Sequence, residues 1–197
     1  MTAKREITRA DLMPLDAYAR LRDERRRAVM AEKRRRRLEV GPVAVFLFEN
    51  FASMWLQVQE MLRIEKGGEA QIDDELAAYN PLVPKGSELV ATVMFEIDDP
   101  IRRKALLSRL GGVEETAVIV FAGETVKGVP EADVDRTTAA GKASSVQFIH
   151  FPFTRTQIEK FRAPGAEIMV GFKHPAYAHM AVLPEATRAA LADDFDA

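Results

Sequence analysis

Three features of the chain predict an α+β fold. Apolar runs of strand length, Val43–Phe48 and Ala117–Ala122, are separated by stretches whose apolar residues recur at helical spacing. After residue 87 the patterns follow the order βαβ, βαβ, β, α, which predicts a mixed, largely antiparallel sheet with flanking helices and a ferredoxin-like core. The length of 197 residues, with 47% hydrophobic and 29% charged side chains, suits one soluble domain with an added arm.

Thr8-Arg9-Ala10-Asp11 reads as a capping box, with Asp11 in place of the usual Glu, and Pro14 suits a first helical turn. A long basic helix is expected from Leu12 to Arg37, because Arg, Ala, Glu and Leu dominate it. Leu15, Tyr18, Arg22, Arg25 and Val29 share one face, so its apolar stripe is thin and the helix lies on the surface or projects toward a partner. Gly41-Pro42 stops it, dividing the chain into a basic N-terminal arm (1–40) and a single α+β domain (41–197). Val43–Phe48 reads as a buried strand. Phe51, Met54, Trp55, Val58, Met61 and Leu62 mark an amphipathic helix, although Ser53–Val58 also fits the return strand of a hairpin. Gly67-Gly68 ends that element, Glu69–Ala78 forms a short helix, and Asn80–Gly86 is an extended loop.

Leu89, Ala91, Val93, Phe95 and Ile97 alternate with Val90, Thr92 and Met94, the pattern of a central strand covered on both faces. Asp98-Asp99-Pro100 starts a helix that runs to Leu110, and Gly111-Gly112 closes it. Thr116–Ala122 is a strand, and Gly123–Ala143 is polar and loop-like with a short strand at Thr125–Val129. Val146–Phe151 and Ile168–Phe172 are strands on either side of a helix at Thr154–Phe161. A turn at His174–Tyr177, a strand near His179–Leu183 and a helix from Pro184 to Ala192 complete the chain.

Composition excludes much chemistry. There is no cysteine, so thiol nucleophiles, disulfides and cysteine-ligated iron–sulfur or zinc sites are absent. Three histidines, His150, His174 and His179, are the imidazoles available near neutral pH. His150 shares a strand face with Val146 and Phe148 and is expected to be a satisfied core residue. No nucleotide-binding motif is present. The stretch 137–143 echoes a phosphate-binding loop but has Ala143 where Ser or Thr would hold magnesium. The first residues are polar and no apolar run approaches bilayer length, so a cytoplasmic protein without a membrane span is expected.

The net charge of −2 is a sum of unlike parts: residues 1–40 carry +6 and residues 41–197 carry −8. The basic excess lies in Arg25, Arg26 and Arg27, and in Lys33, Arg34, Arg35, Arg36 and Arg37. Such a run fits an acidic partner or phosphate, or a solvated face steering toward the acidic remainder of the same fold. No aromatic side chains are interleaved with the arginines, which disfavours nucleic acid.

Two further groups are candidates. If Ile168–Lys173 and Ala178–Leu183 pair across a turn at Pro175-Ala176, Phe172 faces His179 and His174 faces Tyr177. His174, Tyr177 and His179 then meet at one end of an apolar face, as ligands of a metal or anion, as acid–base groups, or as polar end-groups of a hairpin. On the helix after Phe51, Gln57, Glu60 and Glu65 lie away from the main apolar stripe, and Gln59 and Arg63 form an i,i+4 pair. Carboxylates on a helix suit a di-iron centre, but Arg63 stands where Glu-x-x-His would place its histidine, so a hydrogen-bonded or solvated helix face is the simpler reading.

Three segments together carry a resemblance: Asp11-Leu12-Met13-Pro14-Leu15 with Tyr18; Gln57–Glu65 with Ala78–Pro84; and Ser144–Phe148 with His174-Pro175-Ala176-Tyr177. The set resembles the bacterial domain-of-unknown-function family 3501 over nearly the whole chain. The resemblance implies a small cytoplasmic domain without assigned activity or catalytic residues. It also implies a gene neighbourhood containing rubrerythrin and an iron–sulfur oxidoreductase, hence a link to peroxide or oxygen defence. The function expected is therefore an accessory or binding protein of such a redox system, with a homo-oligomer also compatible. The alternatives are a metal-binding protein or enzyme built on His174, Tyr177 and His179, and nucleic-acid binding through Arg25–Arg37.

Overall fold

The computed structural model describes residues 4–131, 137 and 141–196, so part of the expected loop at 123–143, with residues 138–140 of the phosphate-loop echo, lies outside the described residues. Thr8 and Asp11 form their box around a short 3-10 turn at Arg9–Asp11, and Pro14 becomes the N-cap of helix α1 (Leu15–Arg34). The helix stops at Arg34, short of the expected Arg37, because Arg37–Val40 form strand β1. Leu38 and Val40 are buried, and Gly41-Pro42 is the turn of a hairpin with β2 (Ala44–Phe48) in the register Leu38↔Phe46. Residue 40, where the sequence is expected to divide, lies at the end of β1 in this hairpin.

Helix α2 (Phe51–Glu65) begins directly after β2, and nothing of a return strand is present at Ser53–Val58. Asn50 caps it: its side chain accepts from the Ser53 N–H at 2.9 Å, and Ser53 Oγ accepts from the Asn50 N–H at 3.0 Å. Then come α3 (Glu69–Tyr79), β3 (Glu88–Phe95), α4 (Pro100–Leu107), β4 (Ala117–Phe121), β5 (Glu124–Lys127) and β6 (Val129–Pro130). The chain closes with β7 (Val146–Pro152), α5 (Arg155–Arg162), β8 (Ile168–Phe172), β9 (Met180–Val182) and α6 (Glu185–Ala192).

The strands form two sheets, ordered β1-β2-β3-β7-β6 and β5-β4-β8-β9. All pairs between these strands are antiparallel. A ferredoxin-like βαβ unit would set two strands parallel, so that expectation is corrected to two antiparallel sheets face to face. Their facing sides make one core, with Phe46, Phe48, Val93, Phe95, Ile149 and Phe151 from one sheet and Ile119, Phe121, Val170 and Phe172 from the other. Phe121, Phe153, Phe161 and Phe195 close one end of it, with ring centroids 4.8–5.8 Å apart. Residues 124–130 pass from the second sheet to the first as one run, with Gly128 at the corner. A Cβ there would lie 2.6 Å from Ile149 Cγ2, so the corner requires glycine.

Helix α2 covers the outer side of the five-stranded sheet, where Met54, Val58 and Leu62 pack with Val90, Leu82 and Val83. Helix α1 lies on α2 through Tyr18, Val29 and Leu56. It is the outermost layer, and only its inner stripe is covered.

Arg36 joins these layers. Its side chain is 3% exposed and donates to the carbonyls of Phe48 (2.9 Å), Ala190 (3.0 Å) and Glu49 (3.0 Å), and to the carboxylate of Asp194. Burial pushes the Asp194 carboxyl up to about 6 even with Arg36 beside it. Replacing Arg36 by Leu leaves Asp194 and three carbonyls without their donor. The substitution is expected to lower stability by roughly 3–5 kcal/mol, read as a drop in the midpoint of urea unfolding; a change under about 1 kcal/mol would refute this role.

Candidate functional site

The segment from Gln57 to Glu65 is an assembly point for the helices. Glu60 projects from α2 toward α1, where Arg22 grips it with two donors at 2.7 Å and the Tyr18 hydroxyl donates at 2.6 Å. The Arg22 hydrogen bonds, helped by Tyr18, hold the Glu60 carboxyl down to about 2. Burial, with Glu60 alongside, raises the Tyr18 phenol. Arg63 lies 3.8 Å from the same carboxylate, and Glu65 accepts from Gln71 at 2.9 Å. With both oxygens of Glu60 engaged, this cluster is built as a helix clamp.

The neighbouring amides hold the segment before α1. Gln59, fully buried, accepts from the Met13 N–H at 2.6 Å. Trp55 Nε1 donates to the Asp11 carbonyl at 2.9 Å. Asn80 binds both backbone groups of Ile7, at 2.7 and 2.9 Å. Two of the segments that carry the family resemblance are therefore parts of one strap-and-anchor contact.

At the far side, β8 and β9 pair in the register Val170↔Ala181, and the bridge His174↔Tyr177 continues it. The structure brings His174, Tyr177 and His179 to one hairpin end. Tyr177 is buried, and its oxygen accepts from the N–H groups of Val43 (3.2 Å) and Ala44 (3.0 Å) while its hydroxyl donates to the Val40 carbonyl (2.8 Å). This phenol pins the β1–β2 turn. His174 Nδ1 accepts from the Ala176 N–H at 3.2 Å, and Nε2 faces the Gly111 carbonyl at 3.3 Å, which sets the tautomer with its proton on Nε2. His179 is exposed, its ring edge-on to Tyr177 at 4.5 Å, under the Gly41 backbone at φ +66°. Among the described residues no three His, Asp or Glu side chains are gathered to hold a metal ion.

His150 departs from its expected place. Its strand face points away from the shared core, toward the α2 side where Phe148 packs. There Nδ1 lies 3.0 Å from Glu88 and Nε2 3.7 Å from Glu131. This group is invisible to local pattern, because its members come from three separate segments. Alternation places His150, Phe148 and Val146 on one face without saying which face is the core.

The basic run divides at the end of α1. Arg36 is buried as described, and Arg37 binds Glu96 at 2.9 Å. Arg25, Arg26, Arg27, Lys33, Arg34 and Arg35 remain on or just beyond α1 and form no ion pair with a described residue. Asp23, Arg26, Arg27, Met30, Ala31 and Arg34 form one continuous open face along this helix.

The profile of a family described as "Protein of unknown function (DUF3501)" matches residues 6–195. The chain belongs to that family. A crystal structure of a novel protein of unknown function from Burkholderia pseudomallei is 37% identical to this DUF3501 protein, with a TM-score of 0.89 and all of both chains covered. No curated protein matches it. Among the described residues no helix is long and apolar enough to cross a membrane.

The Glu88 hydrogen bond, with Glu131 beyond it, raises the His150 pKa above 6.5 against the opposing effect of burial. Its stabilising contribution is complete below 6.5 and is lost as pH rises through the higher folded value. The wild-type protein should therefore lose more thermal stability between about pH 6 and pH 8 than His150→Gln does, measured by scanning calorimetry; equal losses would refute the coupling.

Proposed function

We propose that this protein is a non-catalytic binding protein, an accessory to a redox system of the rubrerythrin and iron–sulfur oxidoreductase kind, and that the exposed cations of α1 are its docking element. One contrast carries the reading. The groups suited to chemistry, Glu60, Tyr177 and His174, are engaged by the protein's own helices and backbone. The six cations from Arg25 to Arg35 have no acidic partner among the described residues. Unpaired guanidinium groups on a rigid helix favour a carboxylate-bearing surface, since each presents a planar fork that fits a carboxylate in two contacts.

An acidic protein fits better than nucleic acid, because no aromatic side chains that could stack on bases are interleaved with the arginines. The redox assignment draws on the family resemblance, and the absence of cysteine means that any cysteine-ligated iron–sulfur centre of such a system would reside on the partners.

Purified rubrerythrin and the iron–sulfur oxidoreductase serve as the test ligands in isothermal titration calorimetry. At least one should bind, more weakly at high salt, and Arg25→Glu with Arg35→Glu should weaken binding by about tenfold or more while His174→Ala leaves it unchanged. Binding that ignores the arginine reversals, or that vanishes in His174→Ala, overturns the reading, as does the failure of both proteins to bind.

A further inference from the structure

The outer face of α1 is complementary in charge to itself when turned end over end, and from this we infer that a second copy of the chain docks on it, α1 antiparallel to α1. The inference rests on the reading that α1 is the docking element, and it names the first partner of that element.

Asp16 and Asp23 stand seven residues apart, as do Arg20, Arg27 and Arg34, so each set runs nearly straight along the helix. Consider a two-fold axis at the level of Arg25. Asp16 lies as far to one side of it as Arg34 lies to the other, and Asp23 and Arg27 are matched in the same way. An antiparallel copy therefore sets Asp16 level with Arg34, and Asp23 level with Arg27, each pair occurring twice by symmetry. Between them Met30, 41% exposed, comes level with the exposed neighbourhood of Ala19 and Arg20, where the small alanine leaves room for it.

The acids are accessible. The Asp16 side chain is 73% exposed and accepts one hydrogen bond from Arg20 at 3.2 Å, and the Asp23 side chain is 90% exposed with Arg22 3.9 Å away. This seam lies on the open face formed by Asp23, Arg26, Arg27, Met30, Ala31 and Arg34. A parallel arrangement would bring Arg27 to Arg27 and Asp23 to Asp23, so charge selects the antiparallel one. The helix dipoles oppose each other in the same arrangement.

One helix face buries less than the roughly 800 Å² per partner of a standard interface, and exposed ion pairs are screened by salt. A micromolar, salt-sensitive dimer follows. Arg25 and Arg35 lie off the seam and stay available to a different partner.

Sedimentation velocity over about 5–200 µM protein reads the association directly. In about 50 mM salt the protein should be a monomer–dimer equilibrium, weakened about tenfold or more in about 500 mM salt. Asp16→Arg alone and Arg34→Asp alone should each weaken it by about tenfold, and the double exchange in one chain should restore it, since every pair then regains opposite charges. Circular dichroism and melting of each variant show that α1 is still folded. A chain that is monomeric at every concentration in low salt overturns the inference. So does a dimer indifferent to both single reversals, or a folded double variant that fails to recover. If the protein is monomeric yet Arg25→Glu with Arg35→Glu still weakens a redox partner, the dimer falls and the binding reading stands.

Discussion

The Arg36 guanidinium sits where α1 gives way to the sheet, and most of the fold's long connections meet there. It makes four hydrogen bonds, to carbonyl oxygens at the end of β2, at the entry to α2 and in α6 and to the Asp194 carboxylate. A lysine could not satisfy this ring, because a single ammonium cannot spread its donors over groups from three elements. Arg36 fixes the chain just beyond α1 against β2, α2 and α6, while the Glu60 clamp and the Tyr18, Val29 and Leu56 contact hold the helix itself on α2.

A similar logic holds at the two polar clusters that resemble active sites. Glu60 with Tyr18 and Arg22 is an intermolecular-looking constellation turned inward, fastening one helix to another. Tyr177 takes three backbone contacts from a turn more than a hundred residues earlier. Each group meets its partners with hydrogen-bonding capacity filled, which is how polar groups persist in an interior. Their chemistry is structural because their lone pairs and protons are already committed.

Much of the architecture is legible in the sequence where the determinants are local. The β8–β9 register can be read from Pro175-Ala176 and the alternation around it, since a short turn leaves one pairing that buries Val170 and Phe172 together. Helix α2 is equally plain, because Met54, Val58 and Leu62 repeat at helical spacing. The end of α1 is not. Five consecutive cations read as one solvated face, and nothing nearby tells that Arg36 meets residues 190 and 194 while Arg37 enters a strand. The pairing of two sheets, in place of a ferredoxin-like sheet, is hidden for a related reason: interleaved helices suggest crossovers, whereas α5 and α6 close an end of the sandwich. For the candidate site, the seven-residue spacing of Asp16, Asp23, Arg27 and Arg34 is open to inspection in the sequence. Its meaning depends on knowing which side of α1 is uncovered.

Gly128 has a mechanical consequence. One continuous run of backbone belongs first to the four-stranded sheet and then to the five-stranded one. The two sheets therefore share one thread of backbone, and peeling either from the core drags on the other. Opening motions should thus couple the two sheets, neither loosening without the other.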